Sequence, residues 1–389
     1  MYEKITYLVK YLRVFYLLYY YIGSTVLKIL RVFVRPDDRL ILFISFGGKK
    51  FDDSPRSIYD EMLKDHRFDG YELVWAFNSP SSYQIPRGRK IKVDTFEYYR
   101  TALKARVWIT NSSVERGLDF KGKKTFYFDT WHGSPIKLMG TDIDASNTSF
   151  HGKGSWDVDI MTAQGTFDVD VFSRVFNISR DRFRVVGLPR NDMYAHFSLE
   201  RVSFLKKKLG IDEKKKVILY APTFREYDKT RDLGCKLSVP VDLKKWEREI
   251  GMDYVLLFRA HYEVAKSMEI EETDFVREMS AYPHLEDLMI ISDLLISDYS
   301  SIFFDYSIMH KPMLCFVYDY AEYAQKRGMY FDIRQWLNSA DNEDDLIQLI
   351  REANSEENIQ RAIAFQKEYV SAYGDASKLS LDIIAQHLK

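Results

Sequence analysis

The chain has little cysteine. Cys235 and Cys315 are its only two and lie far apart, which excludes a disulfide framework and the paired spacing of a structural zinc site, and makes a reducing, cytosolic compartment the expectation. No charge of one sign dominates, since Lys+Arg number 56 against Asp+Glu 57; bulk attraction to nucleic acid is thereby excluded, and attraction to any anionic surface must be local. Long apolar runs are missing too: the charge-free stretch Val14–Leu27 falls short of the ~20 residues needed to span a bilayer. There is no G-x-G-x-x-G, no P-loop, no internal repeat and no low-complexity tract, so no motif indicates a dinucleotide fold or an ATPase.

Aromatic residues are abundant, with 27 Tyr and 26 Phe, and part of the excess sits at the start. There Lys4, Lys10, Arg13, Lys28, Arg31 and Arg35 face a single Glu3 and flank a Tyr-rich apolar run. Basic flanks with interfacial aromatics predict a segment over residues 1–36 that lies on an anionic membrane surface; a helix docked on the body of the protein is the alternative. Pro36 and the pair Asp37-Asp38 then break the pattern.

The 389 residues suit two domains. Buried-strand runs at 40–46, 73–77, 91–93, 107–110, 125–128, 160–163 and 183–186 alternate with helical stretches such as 57–64 and 96–105. A second series follows a charged helix at 200–209, with strands at 217–221, 255–258, 275–279, 294–296 and 313–317. Such alternation predicts an α/β protein of two parallel sheets, each with its ligands beyond the carboxyl ends of the strands. The expected domains are 37–198 and 199–389, with the last helix packing back on the first, and the two would face each other across a cleft.

The most informative stretch is strand, tight turn, helix: Leu294–Ile296, then Ser297-Asp298-Tyr299-Ser300-Ser301, then Ile302, Phe303, Tyr306 and Met309 at helical spacing. Ser300 or Ser301 at the helix N-cap would gather backbone N–H groups, the positive end of the helix dipole and a hydroxyl, a natural phosphate site. Other strand ends carry Arg259-Ala260-His261 and Thr223-Phe224-Arg225, predicting a fork of charge-assisted donors for a diphosphate. In the first half the strand at 125–128 runs into Asp129-Thr130-Trp131-His132-Gly133-Ser134, which predicts His132 on a turn at the cleft edge with a pKa suited to a general base. The pairs Asp157/Asp159 and Asp168/Asp170 could in principle hold a divalent ion, yet residues i and i+2 of a strand simply share a face, so no metal is expected. The remaining histidines, His66, His151, His196, His284, His310 and His387, read as structural or surface groups.

Taken together, DTWHGSPIKLMGTD at 129–142, VVGLPRND at 185–192, ILYAPTFRE at 218–226, LLFRAH at 256–261, SDYSSIFFDY at 297–306 and KPMLCFVYD at 311–319 resemble the CDP-glycerol glycerophosphotransferase family of teichoic acid synthesis. That resemblance implies a GT-B architecture of two facing Rossmann-like domains, an acceptor side first and a nucleotide side second, behind a membrane-associating helical start. It implies His132 and His261 as the catalytic pair, the first as base toward the acceptor hydroxyl, the second toward the donor phosphate. Arg259, Ser300, Ser301, Asp298, Thr223, Arg225, Pro189 and Asp305 fall on the donor side, and Gly133, Lys137 and Asn111 on the acceptor side. The implied partners are CDP-glycerol, a polyprenyl-diphosphate-linked saccharide and the anionic cytoplasmic membrane surface, with no cofactor and no nucleic acid. Ser134 stands where the family more usually has Thr. Lacking the long extra regions of the larger polymerases, the chain is expected to make a single priming transfer. The alternatives are ribitol phosphate transfer, polymerisation of wall or capsular chains, and an inactive membrane-bound binding module.

Overall fold

The computed structural model describes residues 13–143, 156–223, 225, 240–260 and 270–388. Cys235, His151 and His261 lie outside the described residues, as does the start of the expected membrane segment.

Two compact units form. The first opens with helix α1 (Arg13–Phe33), followed by β1 (Asp37–Ile44), α2 (Asp53–Met62), β2 (Glu72–Phe77), β3 (Arg89–Lys92) and α3 (Phe96–Lys104). It continues with β4 (Ala105–Thr110), β5 (Phe126–Asp129), β6 (Ile160–Ala163), α4 (Thr166–Val175) and β7 (Phe183–Val185). The strands form one parallel sheet in the order β3-β2-β1-β4-β5-β6-β7. Runs such as Leu40-Ile41-Leu42-Phe43-Ile44 are apolar at every position because a parallel sheet is covered on both faces, and all five are buried. α2 starts four residues before the expected 57, since Pro55 is tolerated in a first helical turn. Phe43 stacks on Trp75 at 5.1 Å, and this layer joins Tyr59 of α2 to Leu381, Ile384 and Ala385 of the C-terminal helix Ala376–Leu388.

Helix α1 is docked along one face. Tyr19 donates to the Arg116 carbonyl, Ser24 accepts from the Asp119 N–H, Lys28 pairs with Asp119, and Arg31 donates to the Phe120 and Lys121 carbonyls. The other face leaves Val14, Leu18, Ile22, Val26, Ile29, Val32 and Phe33 exposed, the last two by 80% and 79%, at spacings of three and four. No described helix is long and apolar enough to cross a membrane.

The second unit holds α5 (Leu199–Lys208), β8 (Lys216–Tyr220), α6 (Leu243–Ile250), β9 (Tyr254–Phe258), β10 (Val276–Glu278) and α7 (Leu285–Ile291). Then come β11 (Leu294–Ser297), α8 (Ile302–Ser307), β12 (Met313–Phe316), α9 (Tyr320–Arg327), β13 (Ser339–Ala340), α10 (Glu343–Arg351) and α11 (Glu356–Tyr369). Its parallel sheet runs β10-β9-β8-β11-β12-β13, with Trp246, Leu256, Ile296 and Leu346 buried together on one side. β13 has two residues, too short to show in a sequence pattern.

The units differ from the expected boundaries at two places: the first ends at Asp192 rather than 198, and Gly133–Met139 groups with the second, while Ser371 onward groups with the first, in line with the last helix packing back on it. Backbone pairing explains the second difference: Lys137 bridges Met329, Leu138 donates to the Gly328 carbonyl and Tyr330 donates to the Ile136 carbonyl.

Candidate active site

In each sheet the strand order reverses once, between β1 and β4 in the first unit and between β8 and β11 in the second. At such switch points adjacent connections diverge to opposite faces and leave a crevice at the strands' carboxyl ends. Asn111, which receives the His132 hydrogen, follows β4 at the first of these, and Thr223 and Asp298 meet at the second, followed by Ser300 and Ser301.

In the first unit β4 ends in Thr110 and Asn111 follows, while β5 ends in Asp129. Asp129 is fully buried; its Oδ1 accepts the Trp131 N–H at 2.7 Å, and Oδ2 has no partner among the described residues. Burial drives its pKa up, against the opposing Trp131 and Thr130 amides, and so favours the neutral acid. The turn it closes puts Trp131 at φ 50°, and the Trp131 ring stacks on His132 at 4.0 Å. Phe46 approaches the same imidazole at 5.6 Å.

His132 Nδ1 lies 2.7 Å from the Asn111 carbonyl oxygen. A carbonyl can only accept, so Nδ1 carries the hydrogen and the neutral ring keeps its lone pair on Nε2. Burial lowers the His132 pKa, outweighing the Asn111 hydrogen bond and nearby Asp53, which favour the charged ring. Nε2 is therefore a base through the neutral range.

Phe46 and Trp131, both non-glycine residues in the left-handed region, flank this ring, and such strain concentrates at functional sites. Of the expected acceptor-side residues, Asn111 is thus a direct partner of His132. Gly133 follows at φ 140°, a conformation that favours glycine, and leads into the segment where Lys137 pairs with Met329. Sequence reasoning missed Asp53 and Arg190, which form an ion pair at 2.6 Å, and Phe46. The available signal was the acidic Asp52-Asp53-Ser54-Pro55 helix start just past the carboxyl end of β1.

In the second unit, the turn after β11 is held by charge. Asp298 Oδ1 accepts the Thr223 and Tyr299 N–H groups at 2.8 and 2.7 Å, and Oδ2 takes Arg225 Nη1 at 2.8 Å. Arg225 spends all five N–H groups internally, on Asp298, both oxygens of Asp319, the Thr223 carbonyl and the Tyr318 hydroxyl. Arg225 and Asp298 are 4% and 2% exposed. Among the described residues the two lock the loops after β8, β11 and β12 together. A buried guanidinium needs paired carboxylates, and Asp298 and Asp319 supply them.

The N-cap of α8 falls on Ser301, one of the two serines expected there. It has helical φ −61° and makes no side-chain cap, while Ser300 Oγ accepts the Ile302 N–H at 3.3 Å. Both serines are half-buried at the turn. Arg259, just past β9, donates through Nη1 to the Met279 and Tyr282 carbonyls of the turn that follows β10. The Thr223 hydroxyl is buried with no partner among the described residues, and Asp305 is buried on α8. Pro189, expected on the donor side, lies buried in the first unit, in the turn Pro189–Asn191.

The carboxylate pairs are committed elsewhere: Asp157 and Asp159 to Lys121 and Arg182, Asp168 to the Gln164 N–H, Asp170 to Arg180. The buried Cys315 thiol is pushed well up.

A family model described as CDP-Glycerol:Poly(glycerophosphate) glycerophosphotransferase matches residues 27–380. The teichoic acid glycerol-phosphate transferase of Staphylococcus aureus is 30% identical over 354 residues, covering 86% of this chain and 90% of that protein. The teichoic acid poly(glycerol phosphate) polymerase of Bacillus subtilis is 32% identical over 318 residues, 76% of this chain but 41% of the polymerase. Among solved structures, the wall teichoic acid polymerase TagF superposes with a TM-score of 0.82 at 28% identity, over 91% of this chain and 90% of that one. With the match running through both sheets and both switch points, the chain belongs to the CDP-glycerol:poly(glycerophosphate) glycerophosphotransferase family and is a CDP-glycerol glycerophosphotransferase.

Proposed function

We propose that the enzyme transfers glycerol phosphate from CDP-glycerol to a hydroxyl of a polyprenyl-diphosphate-linked saccharide in wall teichoic acid synthesis, releasing CMP, as a single priming step. The observation that carries this reading is the neutral His132 with its lone pair on Nε2 at the β1/β4 switch point. In the reading, Nε2 takes the proton as the acceptor oxygen forms its bond to the glycerol-bearing phosphorus and the bond to CMP breaks. Ser300, Ser301, Thr223 and Arg259 of the second unit, together with His261, would meet the diphosphate, in a fold of GT-B type. Phosphoryl transfer asks mainly for positioning and charge neutralisation, which such donors supply. The exposed apolar stripe of α1 would rest on the cytoplasmic membrane face and bring the enzyme to its lipid-linked acceptor.

Incubation with CDP-glycerol or CDP-ribitol and a lipid-linked disaccharide, followed by mass spectrometry, tests the proposal. One added glycerol phosphate with stoichiometric CMP is expected. A ladder of additions would favour polymerisation, the activity named for the Bacillus subtilis relative; transfer from CDP-ribitol alone would overturn the donor assignment.

A further inference from the structure

Between α1 and α3 the first unit holds a cavity of about 480 Å³, within the range of small-molecule sites. Leu27, Leu30 and Phe33 of α1 and Phe96, Tyr99 and Leu103 of α3 form its apolar walls. Gly23 lets α1 close on the body beside it, since a Cβ there would lie 2.8 Å from Leu118 Cδ2. The α1 residues on the wall run from Tyr19 to Phe33, about 20 Å of helix, so the cavity is an elongated slot.

Val26 and Phe33 line the slot and also belong to the exposed apolar stripe of α1, and Phe96 on its other wall is 70% exposed. The slot therefore opens onto the surface that the reading above lays on the membrane. A close-packed interior has few voids of this size, and an apolar lining gains its missing dispersion contacts from hydrocarbon. Arg100, exposed on α3, sets a positive charge beside this apolar space, which complements an amphiphile with an anionic head.

The Tyr19 end lies toward the chemistry. Tyr19 donates to the Arg116 carbonyl, Arg116 Nη1 donates to the Gly47 carbonyl, and Phe46, next to Gly47, is 5.6 Å from the His132 ring. The start of α3 and the loop carrying Arg116 follow the carboxyl ends of β3 and β4, the edge of the sheet where His132 sits, whereas Phe33 leads into the start of β1 at the opposite edge.

We propose that this slot holds the head-proximal stretch of the hydrocarbon tail of the lipid-linked acceptor. The tail enters from the membrane through the α1 stripe, and the anionic head leaves at the Tyr19 end toward His132. The proposal rests on the acceptor of the reaction above. A bulk phospholipid would also satisfy the apolar lining, but a slot running toward the catalytic edge has a use only for a lipid whose head reacts.

Two measurements on the full chain test this. A polyprenyl phosphate with a photoreactive group on the isoprene units nearest its head is cross-linked to the protein in mixed micelles, and the adducts are mapped by mass spectrometry. They are expected within 27–34 and 96–103 and should persist in excess anionic phospholipid. Adducts elsewhere overturn the proposal, and so does displacement by the phospholipid, which would make the slot a general lipid site. The second measurement compares kcat/KM, with CDP-glycerol as donor, for acceptors of one saccharide bearing a short alkyl or a full polyprenyl tail. Leu30→Trp fills the slot and should lower the preference for the long tail about tenfold, the worth of two buried methylenes, through KM rather than kcat. Ile22→Trp, on the same stripe but outside the slot, is the comparison: an equal loss there assigns the effect to membrane contact and overturns the slot, as does an unaltered preference in Leu30→Trp. If Leu30→Trp does not fold, Val34→Trp takes its place. Failure of transfer to both acceptors would overturn the reaction above, while the adducts still decide whether the slot takes a polyprenyl chain.

Discussion

The hydrogen on His132 Nδ1 is committed to the carbonyl oxygen of Asn111, 2.7 Å away, and this one contact decides which face of the imidazole can do chemistry. Because Nδ1 cannot turn to the acceptor without losing that bond, only Nε2 is free to take a proton.

The acid limb of kcat/KM should accordingly lie below the ordinary imidazole value of about 6.5, since burial lowers the folded-state pKa and the ring stays neutral as pH falls past that value. Stability has the same sign: the unfolded chain takes up the proton first, so stability is lost as pH falls from the ordinary value through the lowered one. His132→Gln should cost about 10²–10⁴ in turnover and remove this part of the pH dependence, as steady-state kinetics and melting curves at several pH values would show.

Replacing Arg225 with Gln should act on folding first. It leaves Asp298 and Asp319 charged and unpaired in a buried loop junction, a change that costs about 3–5 kcal/mol. Denaturant unfolding should show the loss. Unaltered stability with weakened CDP-glycerol binding would instead restore Arg225 as a ligand group.

Asp129→Asn should be tolerated and Asp129→Leu should not. The carboxyl group, its neutral form favoured by burial, holds the Trp131 N–H through one oxygen, which Asn reproduces and Leu cannot. A raised folded-state pKa means stability is lost as pH rises from the ordinary carboxyl value through the raised one. The melting temperature of Asp129→Asn should therefore exceed wild type at pH 8, with the gap narrowing toward pH 5, and its turnover should stay near wild type.

The exposed stripe of α1 should bind membranes without supporting the fold. Val32→Glu/Phe33→Glu should release the protein from anionic vesicles in a flotation assay and leave the melting temperature within about 0.5 kcal/mol equivalent of wild type, because both side chains face solvent. Undiminished flotation would assign the surface to some other contact.

Much of the fold was legible because parallel strands buried on both faces read as continuous apolar runs, and Leu40–Ile44, Val107–Thr110 and Leu294–Ile296 fall where such runs predict them. His132 was legible for a related reason: a histidine just past a strand end must sit at the sheet's carboxyl edge, where ligands gather. The internal partners of Arg225 were not legible, because its motif announces five donors and says nothing of the acceptors that the fold brings to them.

Local order along the chain thus specified the alternation of elements and the residues at strand ends, since both depend on neighbours a few positions away. The strand order, and with it the crevices beside β1/β4 and β8/β11, was decided only by tertiary packing, because hydrophobic runs say that a strand is buried but not beside which partner. The same holds for Asp53 and Arg190, 137 positions apart, and for Arg225, which reaches Asp298 and Asp319 at separations of 73 and 94. A charge deep in the fold is fixed by whichever opposite charge the fold brings to it, and sequence distance carries no information about that meeting.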